Sequence, residues 1–369
     1  MISTAARKCG VVFLVNGDPQ SAVGFRARGL AAHLDCQYDI VIAYRTENKE
    51  ASILEFLRFL HEGKPTITYV FDMAYSGVIA GLWHKFLFRN RLIIDTGDSI
   101  YALAQSVGTR GRLGLWMTWL LEWCSLRFSD QIVVRGTVHK HRLSSKGVRV
   151  EVIQDGVETE LFRPMEVDDL RRRCGLDRVT TVGLLGSITW SPKLQMCYGT
   201  ELLEALYLLP DLPIKGVVIG DGSGLEMLKT RARECGIEDR ILFLGRIPYH
   251  ELPQYLNLID ICLSTQTNDA AGEVRTTGKL PLYLASGRYV LASRVGEAAL
   301  LLPESMLVDY ENTKDAKYAQ RLAQKIRTAC EDPQVLRTSA VNRSLAVQHF
   351  DYALLSRRLS TVLSPDSGD

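Results

Sequence analysis

The stretch Arg275-Thr276-Thr277-Gly278-Lys279 sets two cations around two threonines and a glycine, just ahead of an apolar run with Leu280, Leu282 and Leu284 that stops at Ser286-Gly287. These residue types make a poor strand and a good helix entry, because threonine hydroxyls cap a first turn and glycine admits close approach. Amides at a helix start attract an anion, and Arg275 and Lys279 add charge beside them. The pattern predicts a phosphate cradle. An ordinary capped helix would account for the threonines but not for the placement of two cations.

Four further candidates each follow a predicted strand. Residues 182–193, VGLLGSITWSPK, end a strand in Gly186-Ser187 and deliver Lys193 from a proline-containing loop, a mobile point charge suited to a diphosphate. Residues 214–224, IKGVVIGDGSG, read as a buried strand and a loop, with Gly220 and Gly222, that opens a helix over Leu225–Glu234. The GxGxG spacing and the missing acidic residue make it a poor dinucleotide fingerprint and a good tight turn. Residues 16–28, NGDPQSAVGFRAR, follow the first strand and aim Gly24, Arg26 and Arg28 at the same end of a sheet. After the fourth strand comes Asp95-Thr96-Gly97-Asp98, where Asp98 or Asp95 would accept or steer a proton from an attacking hydroxyl, or else close an Asx-type turn.

These loops need a scaffold that brings them together. Short runs rich in Val, Ile and Leu predict strands at 10–15, 38–43, 66–71, 92–95, 131–134 and 150–153, then at 180–185, 214–219, 241–244, 259–263 and 289–292, separated by segments of helical periodicity. This is an α/β chain of two doubly wound parallel-sheet domains, whose ligands bind at the carboxyl ends of the strands in a cleft between them. The polar stretch after Leu161-Phe162-Arg163-Pro164 predicts a hinge over 165–178, between a first domain of residues 1–164 and a second of 179–340. A helical tail over 341–369 is expected to fold back across the first domain.

Composition bounds the rest. With 369 residues, 46% of them hydrophobic, the chain can build two full cores. Its eight cysteines form no CxxC pair and stand away from histidine at zinc spacing, which predicts a reduced, cytoplasmic setting, and without a full glycine fingerprint and its ribose-binding acid no nicotinamide or flavin cofactor is expected. The five-residue apolar run before Asn16 is too short for a signal peptide and reads as a first buried strand. A net charge of +2 and the lack of a recognisable module argue against nucleic acid. Residues 84–149 are different, with eleven Lys or Arg against four carboxylates. Within them LGLWMTWLLEWCSLRF spaces Trp116, Trp119 and Trp123 as a helix would, so an anionic membrane surface is a further expected partner, against the alternative that the stripe is core.

The motifs in their order resemble the retaining GT-B glycosyltransferases of family 4 (glycosyl transferases group 1) over nearly the whole chain. Residues 153–158, IQDGVE, with Leu161-Phe162-Arg163-Pro164, resemble the family's boundary segment PNGVD…FxP. GLLGSITWSPK resembles its G-R…K donor loop, VVIGDGSG its GDGP turn, and ILFLGRIPYHELPQYLNLIDICL, which contains Arg246, its VxFxGxVPxxELP block. KLPLYLASGRYVLAS resembles KLxEYxAxGxPVxAS. The resemblance implies a metal-independent, retaining transfer from a UDP- or GDP-sugar, held mainly by the second domain, to a glycan, lipid-linked saccharide or other cell-envelope acceptor. It makes Lys193 the phosphate-binding lysine and sets Thr276, Thr277 and Gly278 against the diphosphate.

Several family positions are altered. The paired arginine falls at Ser187, the ribose-holding glutamate at Leu282, the sugar-contacting glutamate at Val274 with Glu273 beside it, and the first-domain histidine at Gly97. Arg275 and Lys279 are expected to replace the lost arginine's charge. The alternative is a non-catalytic nucleotide-sugar-binding or scaffold protein of the same fold.

Overall fold

A computed structural model describes residues 9–34, 37–332, 334–337 and 339–364. Cys36 and the outermost residues of the expected first and last segments lie outside the described residues. Two sheets of six parallel strands form the frame. The first contains β1 (Cys9–Val15), β2 (Tyr38–Tyr44), β3 (Ile67–Phe71), β4 (Arg91–Thr96), β5 (Gln131–Val134) and β6 (Val150–Val152), in the order β2-β1-β3-β4-β5-β6. The second takes β7 (Thr180–Leu185), skips a small antiparallel hairpin of β8 (Trp190–Ser191) and β9 (Met196–Cys197), and continues with β10 (Ile214–Ile219), β11 (Ile241–Gly245), β12 (Ile261–Ser264), β13 (Tyr289–Ser293) and β14 (Leu307–Val308). Its order is β11-β10-β7-β12-β13-β14.

The eleven expected strands are present, because continuous β-branched runs can be buried on both faces only inside a parallel sheet. β14 and the hairpin went unpredicted, since two-residue strands have no period to read. Helices α1 (Ala22–Ala31), α2 (Lys49–Gly63), α3 (Tyr75–Phe88), α4 (Ile100–Val107), α5 (Arg112–Phe128) and α6 (Thr137–Ser144) surround the first sheet. One face is covered by Val23, Ala27 and Leu30 of α1 together with Leu355, Leu359 and Val362. Phe56, Leu60, Val78 and Leu121 cover the other.

The chain changes domains earlier than expected and returns later. Val157, Phe162 and Leu176 already belong to the core of the second domain. The expected hinge over 165–178 is therefore a packed segment, whose helix Asp168–Arg173 is tied down by Arg171 to the carbonyls of Leu258 and Val179 and to Asp260. The helix Ser339–His349 stays with the second domain, where Arg343 donates to the carbonyls of Thr159, Phe162 and Ala285. Only the last helix, Tyr352–Leu363, crosses back. Its N-cap Asp351 bridges to Val157, and Ser356 donates to the carbonyl of Leu30 at 2.8 Å.

Tyr352 pins the crossing. Its ring lies between Gly29 and Gly156, close enough that a Cβ on either glycine would come within 2.4 Å of a ring atom. Tyr352→Ala is expected to cost about 3–5 kcal/mol, as for other large-to-small core changes, read as a lower urea midpoint.

Candidate active site in the interdomain cleft

The carboxyl ends of the two sheets face each other across a cleft of about 880 Å³. The first domain supplies Asp18 and Gln20 after β1, Phe25 and Arg26 on α1, Asp98 after β4, Arg135 after β5 and Asp155 after β6. From the second come Gly186 after β7, Arg246 to Tyr249 after β11, then Arg275, Thr276, Gly278, Lys279 and Leu282. A second cavity of about 470 Å³ shares Gly186, Arg275, Thr276, Gly278 and Lys279 and extends past Ser187, Trp190, Tyr198 and Glu201 to Leu103 and Val107 of α4.

The floor of the cleft is a buried charge cluster. Arg26, 2% exposed, donates to Asp95 from Nε at 3.1 Å and from Nη2 at 2.7 Å, and to the carbonyl of Ile153 at 2.7 Å. Asp95 is fully buried and also accepts from Tyr69 Oη at 2.9 Å and Arg135 Nε at 3.1 Å. Arg135 in turn pairs with Asp72 and stands 3.5 Å from Asp155. Burial works to raise the Asp95 carboxyl, but the Arg26 and Arg135 guanidiniums outweigh it and hold the group below the usual carboxylate range. Both oxygens are spoken for. Asp95 is therefore a scaffold for the floor rather than a base, and Arg26, expected among the donor-binding residues, spends its donors on that scaffold.

Asp98 stands differently. Thr96 holds its backbone, through a 2.7 Å bond from the threonine hydroxyl to the Asp98 carbonyl, so no Asx turn occupies the side chain. Its Oδ1 is buried without a hydrogen-bond partner and faces Arg275 Nε across the cleft at 3.3 Å. Gly97 explains the missing histidine: a Cβ there would come 2.9 Å from Arg135 Cδ, so the arginine occupies that space.

On the opposite wall, the expected threonine cap is not formed. The helix runs over Lys279–Ala285 from Gly278, with no side-chain cap. Thr276 instead donates to Asp155 across the cleft at 3.2 Å, and Thr277 pairs with Ser264 at 3.3 Å. Lys279 lays its ammonium over the Tyr198 ring, 3.6 Å from the centroid, an attraction of cation for ring quadrupole. Burial, and then the like charge of Arg275, push the lysine down to about 7, opposed by Glu201. Burial also raises the Glu201 carboxyl to about 7.

Other expected residues fall elsewhere. Lys193 is exposed and donates to the carbonyl of Gln105 at 3.0 Å, lying over Gly108, so it bridges the domains outside the cleft lining. Gly220 serves loop packing, with φ +134 and a would-be Cβ 1.9 Å from the Gly186 carbonyl oxygen; Gly222 does the same against Ile188. Gly24 lets α1 start against the carbonyls of Asp18 and Pro19. Arg28 stacks over Phe25. Glu273 is exposed away from the lining, Val274 is core, and Leu282 presents an apolar side chain to the cleft. Ser187 lines the second cavity beside Thr189, and Arg246 reaches the carbonyl of Gln20.

Sequence reasoning missed Arg135, Asp155, Tyr198 and Glu201. Arg135 directly follows a predicted strand, which was signal enough; nothing in the spacing announces Tyr198 or Glu201.

The fold matches solved structures along its length. Sucrose-phosphate synthase from Thermosynechococcus elongatus superposes with a TM-score of 0.78 at 17% identity, covering 96% of this chain and 98% of that one. Anabaena HepE in complex with UDP and glucose gives 0.74 at 18% identity, over 96% and 99%. The fold is GT-B. Within this GT-B chain, residues 199–276 match the family model for glycosyl transferases group 1. Two curated sequences are similar over shorter spans. Alpha-monoglucosyldiacylglycerol synthase of Streptococcus pneumoniae is 29% identical over 171 residues, 44% of this chain and 37% of that protein. The GDP-mannose-dependent alpha-(1-6)-phosphatidylinositol monomannoside mannosyltransferase of Mycobacterium tuberculosis is 27% identical over 225 residues, 59% and 56% respectively. The matches thus span about half or less of these relatives' lengths. Among the described residues of the GT-B chain, no helix is long and apolar enough to cross a membrane.

Asp95→Asn is expected to lose about 3 kcal/mol in urea unfolding, because it strands two buried guanidiniums, whereas Asp98→Asn should leave the midpoint nearly unchanged. Lys279 generates a pH effect. Burial and Arg275 hold it down to about 7, so a diphosphate bound beside it would raise that value and take up a proton above that pH. UDP affinity measured by calorimetry should fall as pH rises through 7, and Lys279→Met should flatten that slope relative to the parent protein.

Proposed function

We propose that the protein is a glycosyltransferase that moves a sugar from a nucleotide-sugar, UDP- or GDP-linked, to a carbohydrate or lipid-linked acceptor, with retention and without a metal. The observation that carries this reading is the convergence of Arg275 and Lys279 on a cleft whose far wall presents Asp98, with its Oδ1 facing Arg275 Nε at 3.3 Å. Two cations on the second domain suit a leaving diphosphate, and a carboxylate on the first suits an incoming hydroxyl. The GT-B fold and the group 1 match over residues 199–276 support the same reading.

In the proposed step the diphosphate displaces Asp98 from Arg275 and sits between that guanidinium and Lys279. As the glycosidic bond breaks, negative charge grows on the leaving oxygen, and the two cations lower that charge's energy more than the ground state's. The acceptor hydroxyl attacks from the leaving-group face, giving retention, and passes its proton to the departing phosphate or to Asp98. The nucleoside lies along Ile247, Pro248 and Leu282, an apolar wall where the glutamate of the family resemblance would stand.

The rival, a nucleotide-sugar-binding protein without turnover, draws on the apolar residues at 274 and 282. A panel of nucleotide-sugars separates the two, scored first by thermal shift and then by release of nucleoside diphosphate in EDTA with and without lipid extract. Stabilisation with no release under either condition would establish the binder. For the enzyme, Arg275→Met and Lys279→Met should each raise the barrier by about 2–4 kcal/mol, the magnitude of a lost oxyanion donor. Lys193→Ala, whose side chain lies outside the cleft lining, should change turnover less than about threefold, equivalent to well under 1 kcal/mol.

A further inference from the structure

Two helices of the first domain are built inside out for a surface that meets water. α5 buries Thr118, Leu121 and Ser125, and the two hydroxyls turn back onto the carbonyls of Gly114 and Leu121 at 2.7 Å each. The opposite side of the same helix carries Leu113, Trp116, Met117, Trp119 and Trp123, between 45% and 71% exposed. α3 repeats the inversion. Its inner side holds Ser76, Gly77, Val78, Ala80, Gly81 and His84, mostly small or polar, and a Cβ on Gly77 or Gly81 would come within 2.8 Å of Val70 or Leu92. Trp83, Phe86, Leu87 and Phe88 point outward, each more than half exposed. Phe128 joins the helices into one face, with its ring 5.6 Å from Phe86 and 5.7 Å from Trp123, both edge-on. An amphipathic helix at a water-facing surface shows the reverse order, and an apolar area of this extent marks a site of interaction.

The charges around the face select its occupant. Arg89, Arg112 and Arg127 are exposed beside the aromatic residues. At the end of the face near the amino ends of β4 to β6, a cavity of about 510 Å³ is lined by Lys85, Phe86, Arg89, Arg91 and Arg149, large enough for a phosphate headgroup. One acid there, Asp130, is paired with Lys85 at 2.5 Å. A second copy of the chain on a twofold axis would bring the same cations against themselves, which is unfavourable. Tryptophan and arginine facing outward together suit the headgroup layer of a bilayer, where the rings lie at the acyl boundary and the guanidiniums meet phosphate.

We infer that the α3–α5 face seats the protein on an anionic phospholipid surface. The seat runs up to α4, whose Leu103 and Val107 line the second cavity of the cleft, so a lipid-borne acceptor would enter over that helix. Only this last step rests on the transferase reading; the docking does not.

The test is co-sedimentation of the full chain with phosphatidylcholine vesicles with and without phosphatidylglycerol. Two variants accompany it: Trp116→Ser with Trp123→Ser, and Arg89→Glu with Arg127→Glu. Binding to the anionic vesicles alone, weakened by salt, with at least about a tenfold loss in each pair, is the expected result. The arginine pair keeps every aromatic, and melting curves equal to the parent protein's guard the tryptophan pair against misfolding. Equal binding to both vesicles, no binding, parent-like binding by both pairs, or a dimer dissolved by the tryptophan changes that ignores vesicles would each overturn the proposal. Nucleoside diphosphate release measured without vesicles reports on the transferase reading separately.

Discussion

The cleft depends on a buried guanidinium pair kept charged by one shared carboxylate. Arg26 and Arg135 share the buried carboxylate of Asp95, and through it they tie α1, β3, β4 and the turn after β6 into one floor. Leaving either arginine unpaired would cost several kcal/mol, so the loops that carry Asp72, Asp98 and Asp155 are held where they are. Asp155 then extends the cluster to the other domain by accepting from Thr276.

Around that floor, contacts between the domains are polar and few of them are alike. Asp98 meets Arg275, Ser106 donates to Asp269 at 2.9 Å, Lys193 reaches Gln105, and Glu297 receives Thr137 and the amide of Val138 at the start of α6. An apolar one is Phe25 stacked on Tyr249, ring centroids 3.8 Å apart. Polar contacts exchange readily with a ligand's own groups. In the proposed reaction a diphosphate would offer Arg275 a better partner than Asp98, which would link donor binding to release of the carboxylate that meets the acceptor.

The lysine assignments show what one-dimensional reasoning can and cannot do. Lys193 matched a family position by counting residues, but the β8–β9 hairpin turns it out onto α4. Lys279, read as a flanking cation, lies on Tyr198 with its charge weakened by burial and by Arg275. The threonines of the same stretch were read as caps and proved to be tethers, Thr276 to Asp155 of the opposite domain and Thr277 to Ser264 of its own, because hydroxyls bond to whichever partner the fold brings near.

Strand positions, the doubly wound class and the carboxyl-end placement of Asp98, Arg275, Thr276 and Lys279 were legible from residues alone. Each rests on local periodicity, on a loop immediately following a strand as for Asp98, or on a helix entry as for Arg275 to Lys279, and all three are written in consecutive positions. Which cations face the cleft, which carboxylate is spent on scaffold, and where the chain crosses between domains were settled only in three dimensions. Those outcomes turn on pairs such as Arg26 with Asp95 and Gly156 with Tyr352, distant in sequence, and a residue's type does not say which partner will reach it. Trp116 and its neighbours sit between the two cases: the spacing announced a stripe, and packing decided that it faces out, because Thr118, Leu121 and Ser125 had taken the inner side.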